Sequence, residues 1–248
     1  MRPATCARLR FSLLILAALG FTACFTPEPV HADDAPLSAA VQAARKTHDE
    51  TQLQSLKTQL EQKTLKDPKD ANSYLDLAKV NAYLLDVYEM RKDKKAAVAA
   101  VDRAIEMAQH ALQSNDQSAD AHSLLADLYG RKISLSVAMF AGPKFGPKVD
   151  SENKRAMTLD DKNPHVWASL GRQYLMTPKM FGGDVAKAVE SFQKSLTLDA
   201  AQDETWVWLA KAFEKQGDKS KARDAIQHAL TLNPASPWVK FNANLLEK

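Results

Sequence analysis

Large apolar residues in the last third of the chain recur at helical spacing, and small residues separate them at fixed places. From Asp203 to Ser236, Trp206, Leu209 and Phe213 fall on one face of a helix, and Ala222, Ile226 and Ala229 on one face of a second. Ala210 and Ala222 leave room for two helices to approach closely. Gly217 suits a left-handed cap on the first helix, and Asn233-Pro234 stops the second because the ring cannot continue it. The pattern predicts an antiparallel helical hairpin. The segment from Pro164 repeats it with Trp167, Leu170, Gly171, Tyr174, Gly183, Ala188 and Phe192, departing at Ser195 and Ala200. A single hairpin cannot cover its own apolar faces, so such units must stack, and at least about three are needed for stability.

These positions resemble the tetratricopeptide repeat, whose signature is W-x2-L-G-x2-Y, then A-x3-F, then Pro. Two earlier segments carry weaker copies. His122, Leu125, Ala126 and Tyr129 align with a first helix whose partner ends at Ala156 and Leu159. Tyr74, Leu77 and Ala78 do the same, with Asn81 departing from Tyr and Ala104 and Ala111 in the second helix. The expected organisation is a segment 1–32, an N-terminal helical cap 33–70, four hairpins (71–118, 119–163, 164–202, 203–236) and a capping helix 237–248. Leu53, Leu56 and Leu60 mark the first cap, where Lys63 replaces a small residue, and Ser236-Pro237 starts the last, with Trp238, Phe241, Leu245 and Leu246. The fold class is all-α. The resemblance implies a right-handed superhelical α-solenoid of stacked antiparallel helical hairpins.

The hairpins are unequal, falling from 48 residues in 71–118 to 34 in 203–236. The excess lies between paired helices. A long helix to about Met90 and another from about Lys95 would absorb it in the first hairpin, leaving Arg91 to Lys95 as a basic tip. In the second, Phe140 to Lys148 contains two Gly-Pro steps and is expected to interrupt regular helix. In the third, Thr177 to Asp184 forms a loop. Equivalent turns of stacked hairpins emerge along one edge, so the tips should lie side by side.

Composition supports helix: 45% of the 248 residues are hydrophobic, and only 11 Pro and 8 Gly disfavour a large all-β architecture. A net charge of +3 argues against a strongly basic nucleic-acid binder. Arg2, Arg8 and Arg10 precede an apolar run from Phe11 to Phe25, too short to span a membrane, and Val30-His31-Ala32 has the form of a signal-peptidase site. Cleavage after Ala32 would leave a chain with net charge +1 starting at Asp33, in a bacterial periplasm or secreted. Phe21-Thr22-Ala23-Cys24 also resembles a lipobox, and processing there would anchor the protein through Cys24, the one route by which the sequence leads to membrane contact. Both cysteines, Cys6 and Cys24, fall in this segment, so the remainder has no disulfide, thiolate metal site or Cys nucleophile. No Asn-x-Ser/Thr site occurs.

No catalytic signature is present. The histidines form no H-E-x-x-H, no phosphate loop follows the glycines, and no G-x-S-x-G elbow occurs. The chain reads as a non-enzyme with no cofactor and no metal. In the family, first helices line a concave groove that binds peptides or partner segments. One matched row there holds Lys79, Asp127, Arg172 and Lys211, and another Asn72, Asp120, His165 and Glu204. The cations would receive carboxylates of a peptide or small acid, or the rows are simply solvated helix faces. The second candidate surface is the loop edge, Phe140, Lys144, Phe145, Lys179, Met180 and Phe181, together with Lys148; these either meet a partner or anionic ligand, or fold back as packing. Trp167 and Trp206 occupy repeat-core positions; Trp208 and Trp238 are undetermined. The expected function is a scaffold for a protein or peptide partner. The alternative, from enlarged hairpins similar to periplasmic tetratricopeptide proteins of TRAP-type solute transport, is binding of a small anionic or apolar ligand.

Overall fold

The computed structural model describes residues 34–246, so the expected leader, with Cys6, Cys24 and the cut after Ala32, lies outside the described residues. The described helices belong to one compact unit, Asp33–Lys248. They run α1 (Asp34–Thr47), α2 (Glu50–Lys66), α3 (Ala71–Met90), α4 (Lys94–Ser114), α5 (Ala119–Leu135), α6 (Ala138–Leu159), α7 (Pro164–Met176), α8 (Val185–Leu198), α9 (Asp203–Gln216), α10 (Lys219–Leu232) and α11 (Pro237–Leu246), with a 3-10 turn at Lys179–Phe181 and no strand among the described residues. Helices α3 to α10 form four antiparallel hairpins. First helices touch in succession, α3 with α5, α5 with α7 and α7 with α9, and each second helix packs on the first helix that follows. First helices therefore line the inner face of an all-α solenoid.

Local chemistry sets the ends. Asp49, Asp70, Asp93, Ser118, Asn163, Asp184 and Asp218 each cap a helix by accepting a backbone N–H of its first turn. Gly217, at φ +86°, closes α9 in the left-handed conformation that glycine adopts freely. At Gly171 the requirement is space: a Cβ there would lie 2.6 Å from the Phe192 ring of α8.

Helix α6 departs from the sequence expectation, because it runs unbroken through Gly142-Pro143 and Gly146-Pro147. Each proline removes an N–H and crowds the carbonyl four residues back. Both prolines lie on the exposed side of the helix, four residues apart, so the freed carbonyls meet water. On the other side Ala141 and Val149 are buried and Phe145 stacks on Tyr129, with ring centroids 5.6 Å apart. Packing against α5 holds the helix together.

The apolar core comes in two large clusters, one centred on α1 to α5 and the other on α8 to α11. Between them runs a buried polar seam. The Ser169 hydroxyl lies 3.1 Å from the Ser123 carbonyl, 2.9 Å from Asp127 Oδ1 and 2.8 Å from Asn153 Oδ1, and Asn153 Nδ2 donates to Gln173 at 2.8 Å. Such groups are tolerated inside because they satisfy one another.

A clasp joins the two ends of the unit. Arg45, near the end of α1, donates through Nη1 to Asp203 Oδ1 (2.8 Å) and Glu204 Oε1 (3.1 Å) at the start of α9. Asn233 Nδ2, at the end of α10, donates to the Lys46 carbonyl (3.3 Å) and to Asp203 Oδ2 (2.7 Å). His48, at φ +47° in the elbow between α1 and α2, stacks on Trp238 of α11 at 6.4 Å and meets Tyr83 of α3 edge-on at 6.2 Å. Burial opposes the Asp203 charge, and the Arg45 guanidinium and Asn233 amide outweigh it, holding the carboxyl below its ordinary value. A carboxyl depressed in the folded state contributes stability that is present above the unfolded value, about 3.9, and is lost as pH falls through the folded one. Arg45→Ala is therefore expected to cost about 1–3 kcal/mol at neutral pH by stranding a carboxylate whose side chain is 5% exposed. The deficit should shrink in acid, which urea unfolding at neutral pH and near pH 3 will show.

Candidate functional site

The inner face brings together side chains from α3, α5, α7 and α9, and most of its charges are already matched. Lys79 Nζ lies 3.6 Å from Asp76 on its own helix. Arg172 grips Asp127 with two donors, Nε at 2.9 Å and Nη2 closer still, and Asp127 also belongs to the polar seam through Ser169. These two residues of the candidate row thus tie hairpin 3 to hairpin 2. One turn beyond Asp127, Arg131 pairs with Asp86 (2.7 Å) and Glu89 (2.5 Å) of α3. Asp86 is 9% exposed, and His48 Nε2 lies 3.4 Å from its second oxygen, too poorly aligned for a hydrogen bond. Burial would raise the Asp86 pKa, but the Arg131 guanidinium and then His48 hold it below the ordinary carboxylate range.

Lys211 is different. Among the described residues no carboxylate stands within 4.0 Å of its amine; the charge sits over the Trp208 ring at 4.3 Å and the Trp238 ring at 5.6 Å. Burial, reinforced by the Arg131 charge, lowers its pKa to about 8 against the pull of Asp86, Glu89 and Glu214. Arg172 also reaches Trp208, at 6.0 Å. The two tryptophans whose place the sequence left open are thus the walls around the row's one cation that lacks a carboxylate partner among the described residues.

His165 remains accessible to solvent, yet the walls of the inner face surround it. Desolvation holds its imidazole below the ordinary histidine value, opposed by Asp120 and Glu204 and reinforced by Arg172 and Lys79. Asp120 accepts from Asn163 Nδ2 at 2.7 Å, and Glu204 belongs to the clasp. Trp167 and Trp206 are half-buried, and each indole N–H donates to a carbonyl six residues back, Asp161 at 2.6 Å and Ala200 at 3.0 Å. They secure the turn leading into each first helix. Among the described residues no group of three His, Cys, Asp or Glu has a metal-binding arrangement.

At the loop edge the structure divides the candidates. Phe145 packs on Tyr129, with the Lys144 amine 5.1 Å from its ring and Lys148 5.2 Å from the Tyr129 ring. Phe140, Met180 and Phe181 point outward, 73, 83 and 73% exposed, joined by Val137, Met139 and Met176. Lys144, Lys148 and Lys179 are exposed beside them.

The tetratricopeptide repeat family model matches residues 203–244. Among solved structures, TTC0263, a thermophilic TPR protein of Thermus thermophilus, superposes with a TM-score of 0.63 at 17% identity, covering 86% of this chain and 98% of its own. MamA (TM-score 0.42, 17% identity, 75% of this chain and 92% of its own) and YrrB, a TPR protein with an unusual peptide-binding site (0.39, 13%, 84% and 91%), are more distant. No curated protein matches the sequence. The last hairpin and final helix therefore match the tetratricopeptide repeat family, and the fold of the described unit is that of a TPR-like α-solenoid.

Proposed function

We propose that this chain is an exported, non-enzymatic scaffold that binds a protein or peptide partner by seating a carboxylate-bearing segment against Lys211 on its inner face. The observation that carries the reading is the state of that lysine. A cation desolvated between two indoles, with its pKa lowered to about 8, reduces stability at neutral pH, and such arrangements cluster at functional sites. A carboxylate would supply the missing charge while the indoles held the adjoining apolar group. Export rests on the leader-like residues 1–32, whose removal would leave the whole compact unit from Asp33. A small carboxylate ligand, as in solute transport, is the second reading; it is favoured by the clasp, which narrows the inner face near Lys211 by bringing α1 and α11 onto α3.

Lys211→Met separates function from packing. It should raise stability by about 1 kcal/mol at pH 7, an advantage that shrinks above pH 8, where the folded lysine gives up its proton before the unfolded one does. The same variant, used as bait in an envelope extract of the native cell, should release the partner that the unaltered protein retains. Retention of the same partner by Lys211→Met would overturn the reading. A thermal shift with short mono- and dicarboxylates, present in the unaltered protein and absent in the variant, would instead support the small-ligand reading.

A further inference from the structure

The edge formed by the tips of hairpins 2 and 3 lies apart from Lys211 and has a chemistry of its own. Met139 and Phe140, in the first turn of α6, are 74 and 73% exposed, and Met180 and Phe181, in the next tip, 83 and 73%. Large apolar side chains this far out in water are a cost unless something covers them. Their presentation is set by the backbone. In hairpin 3, Phe181 N and Gly183 N donate to the Pro178 carbonyl (2.9 and 3.2 Å), and Asp184 N donates to the Tyr174 carbonyl (3.0 Å). Gly183 passes so close to the Thr177 carbonyl that a Cβ would lie 1.8 Å from its oxygen. In hairpin 2, Phe145 and Val149 pack α6 against the first core and so turn Phe140, Lys144 and Lys148 outward.

Charge says what fits there. Of the cations near these tips, Arg131 is held by Asp86 and Glu89, Lys132 by Asp102 and Arg172 by Asp127, which leaves Lys144, Lys148 and Lys179 without a carboxylate partner among the described residues; Asp150 and Asp184, the cap of α8, follow the two tips. The turns between hairpins, at the opposite edge, carry the reverse: Asp116 and Asp120, Asp160 and Asp161, Asp199 and Asp203. The tips of hairpins 2 and 3 thus present these three unpaired lysines with protruding Met and Phe, whereas these turns at the opposite edge hold more acids than cations. Side chains that stand out from two separate turns, beside lysines that no carboxylate pairs among the described residues, suit a soft anionic surface into which their ends can sink while the amines stay at phosphate level.

We infer that the tips of hairpins 2 and 3 dock this protein on an anionic lipid bilayer, with Met139, Phe140, Met180 and Phe181 entering the headgroup region and Lys144, Lys148 and Lys179 meeting lipid phosphates. The docking needs no lipid anchor at Cys24. It leaves the inner face open to the aqueous side.

Vesicle co-sedimentation tests this with residues 33–248, which hold every buried residue of the described core, and with the full chain in parallel. The probes are vesicles of phosphatidylglycerol in phosphatidylcholine and vesicles of phosphatidylcholine alone. Residues 33–248 should bind the first in low salt, release in high salt, and bind the second weakly. Lys144→Glu with Lys179→Glu should weaken binding at least about tenfold, since each lysine near such a surface is worth roughly fivefold. Phe140→Ser with Phe181→Ser should weaken it comparably. All four positions are exposed, so melting followed by circular dichroism should stay near that of the parent. Equal binding to both vesicle types, or binding by residues 33–248 unaltered in both double variants, would overturn the inference. So would loss of a captured protein partner from the Phe variant when the parent ignores vesicles, which would make the edge a protein contact.

Discussion

Phe192→Ala should lower the unfolding free energy by about 3–5 kcal/mol, one of the two largest effects expected of a single substitution in this chain. Phe192 is wholly buried in the second core, and its ring lies against the backbone of α7 at Gly171. Two helices close there because one position has no side chain and the other has a flat one. Gly171→Ala in the parent would force its methyl into the ring and should also destabilise. With Phe192→Ala already present the methyl meets free space, and alanine's better helix propensity should make Gly171→Ala neutral or mildly stabilising. The costs will therefore not add. A double-mutant cycle by urea unfolding will show a coupling of at least about 1 kcal/mol if this contact sets the helix spacing, and none if it does not.

Asp86→Ala should cost about 3 kcal/mol for a different reason. Removing one member of a buried ion pair leaves the other charge without its compensation. Arg131 would keep Glu89, so the loss falls at the lower end of the range for such pairs, but the His48 elbow would lose the carboxylate that lies 3.4 Å from its ring. Because the Asp86 pKa is depressed, its contribution is full above the ordinary carboxylate value and vanishes as pH falls through the lower folded value. The difference between parent and variant should thus be full at about pH 7 and shrink as pH falls below the ordinary carboxylate value of about 3.9. Asp86→Asn, which keeps the shape and removes the charge, should lie between the two.

Much of the fold was legible because its determinants are local. Trp206, Leu209, Gly217 and Pro234 describe a hairpin within about thirty residues, and Gly171 and Phe192 announce a close helix crossing. Helix α6 was not legible. Gly-Pro steps are punctuation by every local rule, and only packing against α5 overrides them. That one difference also hid which residues of the loop edge face out, since without a helical register nothing distinguishes Phe140 from Phe145. Once α6 is continuous, residues 141, 145 and 149 face α5 and residues 140, 144 and 148 face out.

For the inner face, matched repeat positions placed Lys79, Asp127, Arg172 and Lys211 in one row, but their pairings depend on neighbouring helices. Arg172 and Asp127 satisfy each other across hairpins, a possibility that a row of aligned residues conceals. Arg45 was invisible as a partner of Asp203, because the two lie 158 positions apart and belong to no common repeat. The Trp208 and Trp238 rings likewise meet around Lys211 only because α11 folds back over α9.

The clasp also changes how the molecule can come apart. In an open array of repeats each unit touches only its neighbours, and an end unit can fray while the middle stays folded. Here α1 is tied to the last hairpin through Arg45 with Asp203 and Asn233 with Lys46, and the elbow after α1 to α11 through His48 with Trp238. Neither end can loosen without disturbing the other. Melting should therefore proceed as a single cooperative event, and amide exchange in α1 and α11 should be as slow as in the central hairpins.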